Sequence, residues 1–434
     1  MDRRRHLFAA GPSLGVPPGR PVRPGCARSF VTRRAFNNLL PPLLLAAALA
    51  FPLLYDDDAA IDAAADAAVF AILALGLNVV LGYAGLLDLG YAAFFAIGAY
   101  AYGIFTSYQV QPHWSGFWQP FAAVGLVART PNDFVHFTLS FWLALPLSAL
   151  LASGCGVVFG APTLRLKGDY LAIVTLGFGE IVPIVARNLP SVTNGAAGLN
   201  GVAPPSLFGH SFGIAATPYY EVAVVLVAAL MLVSVRLRGS RIGRAWMAIR
   251  EDETAAAAMG VDRVRLKLLA FAIGAAFAGM AGTVYVAKLQ TATPEMFGFP
   301  VSVMVLVMIV LGGLGSEWGA VLGAVMLSLL QSWFLPGLTE WLHALGDAIG
   351  SAWLRQIELA PATELIFGIV LVLTMLFRRE GLLPAARKQP ALSFEQQHIE
   401  MRQVEPGLAR PADPRPASVP ALEVADLTVR FGGL

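Results

Sequence analysis

Apolar runs close to 20 residues long recur along this chain, and no other feature limits its fold as tightly. One of them, 268–288, reads LLAFAIGAAFAGMAGTVYVAK, with its single charge at the last position. A run of that length crosses the roughly 30 Å hydrocarbon core as a helix. Lipid offers backbone groups no hydrogen bonds, so each span must satisfy its own. Ten such candidates occur, at 39–55, 67–87, 89–107, 139–160, 170–187, 218–235, 268–288, 298–313, 318–335 and 363–378. Only 13% of the residues are charged, where soluble domains run near a quarter. The expected class is an all-α integral membrane protein, a polytopic bundle of about ten transmembrane spans.

The charges left over orient the bundle. Residues 1–38 are rich in Arg and Pro with Asp2 as their one acid, and read as a disordered basic extension on the cytoplasmic side or a start site placed too far upstream. With that end inside, the Asp-rich gap 56–66 falls outside. Arg165 and Lys167, the long loop 236–267 and the tail after 378 all fall inside. One parity places every basic cluster on one face, as the positive-inside rule requires. Both termini are then cytoplasmic. The last two long runs, 298–335, could also form a re-entrant pair around 312–319. In the external loop 336–362, Leu338, Leu342, Leu345, Ile349, Trp353 and Ile357 recur at helical spacing. They suggest an amphipathic helix on the outer interface or a cap over the bundle.

The loop 236–267 carries eight Lys/Arg against four Asp/Glu. Its middle, 245–259, is dominated by helix formers and predicts one short helix lying outside the bilayer. A cytoplasmic helix held between spans can receive force from a soluble motor.

Within the spans one ionisable residue stands out. Glu180 lies roughly 15 Å into its run at the helical rise, flanked by Gly177, Gly179 and Pro183. A carboxylate at that depth faces a partner or a wet path. Glu180, Gly177, Gly179 and Asn78 are the candidate lining of a translocation path, against the alternative of an interhelical hydrogen bond to Asn78, Thr175 or Gln290. Asp88 and Asp169 read as caps or partners of Arg165 and Lys167. Glycine- and alanine-rich stretches, such as 274–282, suit close helix packing. Cys26 and Cys155 are too few and too distant for a disulfide framework. The six histidines fall outside the spans, none at metal-ligand spacing, so neither a catalytic nor a metal site is expected.

Four blocks, in order, carry a resemblance: 77–102 (LNVVLGYAGLLDLGYAAFFAIGAYAY), 166–184 (LKGDYLAIVTLGFGEIVPI), 243–282 (GRAWMAIREDETAAAAMGVDRVRLKLLAFAIGAAFAGMAG) and 293–326 (TPEMFGFPVSVMVLVMIVLGGLGSEWGAVLGAVM). Together they resemble the permease family of branched-chain amino acid ABC importers over roughly 65–380. Tyr91 departs from the family, whose members often carry His there. The resemblance implies a transport subunit without a catalytic site, translocating branched-chain or related amino acids across a bacterial inner membrane. It implies a periplasmic solute-binding protein, a second homologous permease and ABC ATPase subunits as partners, and lipid but no nucleic acid. It implies no cofactor in this chain, with ATP used by the associated ATPase. Ala255, Ala256 and Gly260 match the family's Glu-Ala-Ala…Gly docking pattern, with Glu253 one place early. The resemblance thus implies an ATPase-docking surface over 244–260, from Arg244 to Gly260, in which the small residues permit close seating and Arg250, Glu251 and Asp252 fix orientation through rim pairs.

The expected permease domain is 39–380. Residues 381–420 read as a Pro-rich linker. The last segment, 421–434 (ALEVADLTVRFGGL), resembles the truncated opening strand of an ABC ATPase domain, in which Phe431 would stack on adenine. No GxxxxGK[ST] phosphate loop occurs in the 434 residues. The competing reading is an ATP-independent secondary transporter or channel. It calls for several ionisable residues inside the membrane, and the sequence offers essentially Glu180.

Overall fold

The computed structural model describes residues 45–384 apart from 47, 56, 108–126, 130–134, 138–139, 164–168, 208–209, 350–355, 357, 360–361 and 379. These residues belong to one compact unit, Met1–Ala385. The basic extension, nearly all of the linker and the ATPase-like end with Phe431 lie outside them, as do Arg165 and Lys167.

The bundle is built of helices, with only short two-stranded β ladders among the described residues. Helix α1 is Asp58–Leu77, continued by a wider π-helical turn, Asn78–Tyr83. It is followed by α2 (Tyr91–Thr106), α3 (Phe141–Thr163), α4 (Asp169–Asn188) and α5 (Ala216–Gly239). Two short helices, α6 (Arg241–Glu251) and α7 (Glu253–Ala258), precede the 27-residue α8 (Arg263–Leu289). Then come α9 (Phe299–Gly312), α10 (Glu317–Leu329), α11 (Leu335–Ile349) and α12 (Thr363–Phe377). Among the described residues seven helical runs are long and apolar enough to span a membrane, and the apolar helices α2 and α12 are shorter. The run expected at 39–55 is described only in part, with 48–54 helical.

Several boundaries differ from the apolar-run reading, two of them because polar side chains begin helices. Most of the Asp-rich gap, from Asp58 on, is helix. Asp57 accepts the Ala59 N–H at 3.1 Å, so α1 starts nine residues ahead of the expected 67. Asp62 and Asp66, four apart, share one helix face, and there Lys288 places its Nζ 2.9 Å from Asp62 and 2.6 Å from Asp66. Asp262 likewise accepts the Arg265 N–H and starts α8 inside the basic loop. Of the expected outer helix at 336–362, Trp353 and Ile357 lie outside the described residues, and the part through Ile349 is helical but not separate from its neighbour. Helix α11 continues α10 through a π-helical turn at Leu330–Phe334, giving one run from Glu317 to Ile349. Trp341 and Ile349 on that run are exposed.

Helices α1 and α8 form the buried centre, and α8 packs on α1, α2 and α3. Small residues set the spacing. A methyl group at Gly98 of α2 would collide with the Gly279 backbone of α8, and one at Gly282 with the Phe95 carbonyl. Gly156 of α3 leaves 2.8 Å between its added Cβ and Ala275. Lipid gives helices no hydrophobic reason to associate, so such backbone-to-backbone contact supplies the van der Waals attraction. Tyr91 is fully buried at this seam and donates to the Gly274 carbonyl at 2.8 Å. At the end of the bundle that carries Asp57, a two-residue antiparallel ladder joins Leu199–Asn200 to Thr291–Ala292.

Candidate coupling site

The basic loop folds into two helices rather than the one expected over 245–259. The break is Asp252, held extended at φ −152°, whose carboxylate accepts the N–H groups of Thr254 at 2.8 Å and Ala255 at 3.0 Å. An N-cap of this kind starts a new helix wherever it sits. The Ala255 and Thr254 N–H bonds also hold the Asp252 carboxyl below its ordinary value.

Helix α6 is bolted to the membrane bundle. Its inward positions recur every three residues: Gly243, Trp246 and Ile249. Gly243 lies so close to the last turn of α5 that an added Cβ would meet the Leu237 and Arg238 carbonyl groups. Trp246 has no exposed surface and donates its indole N–H to the Leu266 carbonyl of α8 at 2.7 Å. Arg250 donates to the Gly82 carbonyl in the π-helical turn after α1. Helix α7 is tied down by Glu253, which pairs with Lys267 at 2.9 Å and Arg263 at 3.5 Å. Three membrane-crossing helices, α1, α5 and α8, therefore hold this element.

Its other face is open. Arg244, Met247, Ala248 and Glu251 are exposed on α6, and Ala255, Ala258, Met259 and Gly260 at the end of α7. Met259 is 85% exposed, an apolar tip beside small residues. Gly260 turns the chain at φ +83°, and an added Cβ there would meet nothing within 4 Å. Ala256 corrects the expected docking surface, because it is buried within the chain and faces the bundle. Glu253 is half-buried against Lys267 and Arg263, and Arg250 is exposed although its guanidinium reaches the Gly82 carbonyl. Arg244, Arg250, Glu251, Ala255 and Gly260 are on the exposed side.

The candidate path residues do not converge. Asn78 is fully buried at the end of α1, where its Oδ1 accepts the Gly315 N–H at 2.9 Å. Gly179 packs on Gly90, 2.9 Å from its Cα to the added Cβ. Gly177 and Glu180 face outward on α4 together with Tyr170, Ile173 and Ile184. Glu180 accepts a 3.3 Å bond from the Phe299 N–H, at the start of α9. Thr175, a candidate partner, instead donates to Ala172 and accepts from Leu89, and Gln290 donates to Gly213. Asp88 does not cap α2, whose N-cap is Gly90 without a side-chain bond; its carboxylate accepts the Gly90 N–H at 2.9 Å in the turn just before the helix. The Asp169 side chain lies outside the described residues.

Trp246 and Lys267 were not legible as site residues from spacing alone. The available signal was a lone Trp inside a basic segment, three residues from Gly243 and from Ile249.

The described residues thus form a multi-pass helical membrane bundle with a short two-helix element braced against one end of it. Residues 59–375 match the family model described as "Branched-chain amino acid transport system / permease component", and the chain belongs to that family. It is 36% identical over 375 residues to the high-affinity branched-chain amino acid transport system permease protein LivM of Salmonella typhimurium. That match covers 81% of this chain and 76% of the relative. The probable branched-chain amino acid transport permease protein LivM of Methanocaldococcus jannaschii is 27% identical, covering 73% of this chain and 90% of that protein. The Escherichia coli permease protein LivH is 26% identical over 272 residues, covering 61% and 80%. No solved structure matches the chain.

Proposed function

We propose that this chain is the permease subunit of an ATP-driven importer that carries branched-chain amino acids across the bacterial inner membrane. It would work beside a second permease of the same family, as the similarity to both LivM and LivH suggests. A periplasmic binding protein would deliver the solute, and ABC ATPase subunits on the cytoplasmic side would hydrolyse the ATP. The observation that carries this reading is the α6–α7 element: anchored by Trp246, Arg250 and Glu253 on one side, open at Ala255, Met259 and Gly260 on the other.

A lever needs both properties. Its inner face must not slip against the spans, and its outer face must accept a partner closely. Small side chains around an apolar tip suit burial in a cleft, while Arg244 and Glu251 at the rim set orientation. Replacing Ala255 with Trp adds bulk on the open face without touching the internal anchors. The variant is expected to insert normally while solute import and solute-stimulated ATP hydrolysis part company in reconstituted vesicles. Stimulation and import both at the parent level would remove the docking assignment.

The outward face of α4 supports a second element of the reading. A carboxylate turned toward lipid near the middle of a span costs about 2.5–3.5 kcal/mol on insertion scales. Glu180 beside the bare Gly177 therefore suits the seam between two permeases, where water or a polar partner is available. Glu180→Gln is expected to lower leucine uptake several-fold at unchanged assembly, measured as initial rates in vesicles. Uptake at the parent rate would assign Glu180 to its Phe299 hydrogen bond alone.

A further inference from the structure

Helices α9 and α10 form a tight antiparallel hairpin around residues 313–316. An added Cβ at Gly312 would fall on the Gly319 carbonyl, and one at Gly323 on the Met308 carbonyl, so the two backbones touch. The segment after α12 straps the turn, with the Leu382 and Leu383 N–H groups bonding the Leu311 and Gly312 carbonyls at 2.9 and 2.8 Å. A pair joined this closely moves as one body.

The first residue of α10 is Glu317, only 4% exposed. Both of its carboxylate oxygens are engaged by other helices. Arg238 Nη1 donates to Oε2 at 2.9 Å, and the Tyr83 hydroxyl donates to Oε1 at 2.7 Å. Ser234 of α5 lies 3.0 Å from the same Tyr83 hydroxyl. Arg238 sits in the last turn of α5, two residues before Ser240, which caps α6 by accepting the Gly243 N–H. Tyr83 ends the π-helical turn whose Gly82 carbonyl takes the bond from Arg250 of α6. The lever thus reaches Glu317 by two routes, through Arg238 and through Tyr83. Burying a charged pair costs desolvation that its attraction barely repays, so such pairs are weak sources of stability. Breaking one, by contrast, leaves an uncompensated charge, which makes it a firm mechanical link.

We propose that Glu317 is a positioning residue of transport. It is the carboxylate clasp through which displacement of α6–α7 is passed to the α9–α10 hairpin. The proposal rests on the coupling reading above, since it needs α6–α7 to be the part that is pushed. The hairpin is then the element whose movement opens or closes the path, and Phe299, at its far end, is the residue bonded to Glu180.

The test uses the whole importer in proteoliposomes with leucine and the binding protein. Three quantities are measured: ATPase subunits retained on the permease, ATP hydrolysed, and leucine imported. Glu317→Gln keeps the shape and the Tyr83 bond but removes the charge that holds Arg238. Retained ATPase is expected to be unchanged while leucine imported per ATP falls about ten-fold, within the roughly 5- to 150-fold span of site-to-site couplings. Exchanging the pair, Arg238→Glu with Glu317→Arg, is expected to recover part of that ratio. A merely structural role would lower retained complex and import together and leave the ratio at the parent value. That result, or an unchanged ratio at full assembly, overturns the clasp while leaving the docking reading intact. If Glu317→Gln does not assemble, Tyr83→Phe decides, because it removes one arm only and the same fall in ratio is required. Failure of the unaltered permease to retain ATPase subunits through α6–α7 would instead overturn the coupling reading itself.

Discussion

Replacing Trp246 with alanine is expected to abolish import while leaving the membrane spans inserted. Removing a fully buried Trp costs about 3–5 kcal/mol in a well-packed site, and here it also leaves the Leu266 carbonyl without its indole donor. Little else replaces that contact, because the inward face of α6 consists of Gly243, Trp246 and Ile249. Helix α6 would lose its seat on α8, and a push from outside would be absorbed by local movement. Amide exchange is expected to rise across α6 and α7 and to stay at the parent level in α1 and α8. Leucine uptake near the parent rate, with α6 protected as before, would show that the seat is dispensable.

The second large effect is expected at Gly312. Any Cβ there overlaps the Gly319 carbonyl oxygen, a backbone atom that no side-chain rotation can move aside. Gly312→Val should force the hairpin apart and cost at least the roughly 1–3 kcal/mol of an overpacked core. The strap made by Leu382 and Leu383 is anchored on the same turn, so it should loosen too. The measurement is the thermal midpoint of the purified protein, together with protease cleavage within 380–384. A parent-like midpoint and an uncut strap would contradict the close-packed hairpin.

The helical bundle was legible because the bilayer imposes a length that few other constraints produce. The run 268–288, for instance, lies wholly inside α8. What an apolar count cannot see is a helix that begins in polar residues. Asp57 and Asp262 cap helices that extend five to nine residues beyond the apolar run. Asp252 divides what reads as a single Ala-rich helix. The side on which Ala256 faces was not legible either, because the run 255–258 is alanine throughout and carries no amphipathic stripe to orient it. Glu180 could be singled out by its depth, but its partner is a backbone N–H, which no side-chain pattern announces. Glu317 was hidden for a related reason: it opens a helix, where an acid is ordinarily explained by the dipole. Its engagement by Tyr83 and Arg238, 234 and 79 residues away in sequence, exists only in the folded chain.

The most direct test places a single cysteine at Met259, with Cys26 and Cys155 replaced by alanine. Met259 stands 85% exposed at the tip of the lever. The account predicts that a membrane-impermeant thiol reagent labels it only from the cytoplasmic side. It also predicts that a short bifunctional reagent joins it to an ATPase subunit, less so with nucleotide-driven movement under way. Labelling from the periplasmic side, or an intact importer that yields no such cross-link, would contradict it.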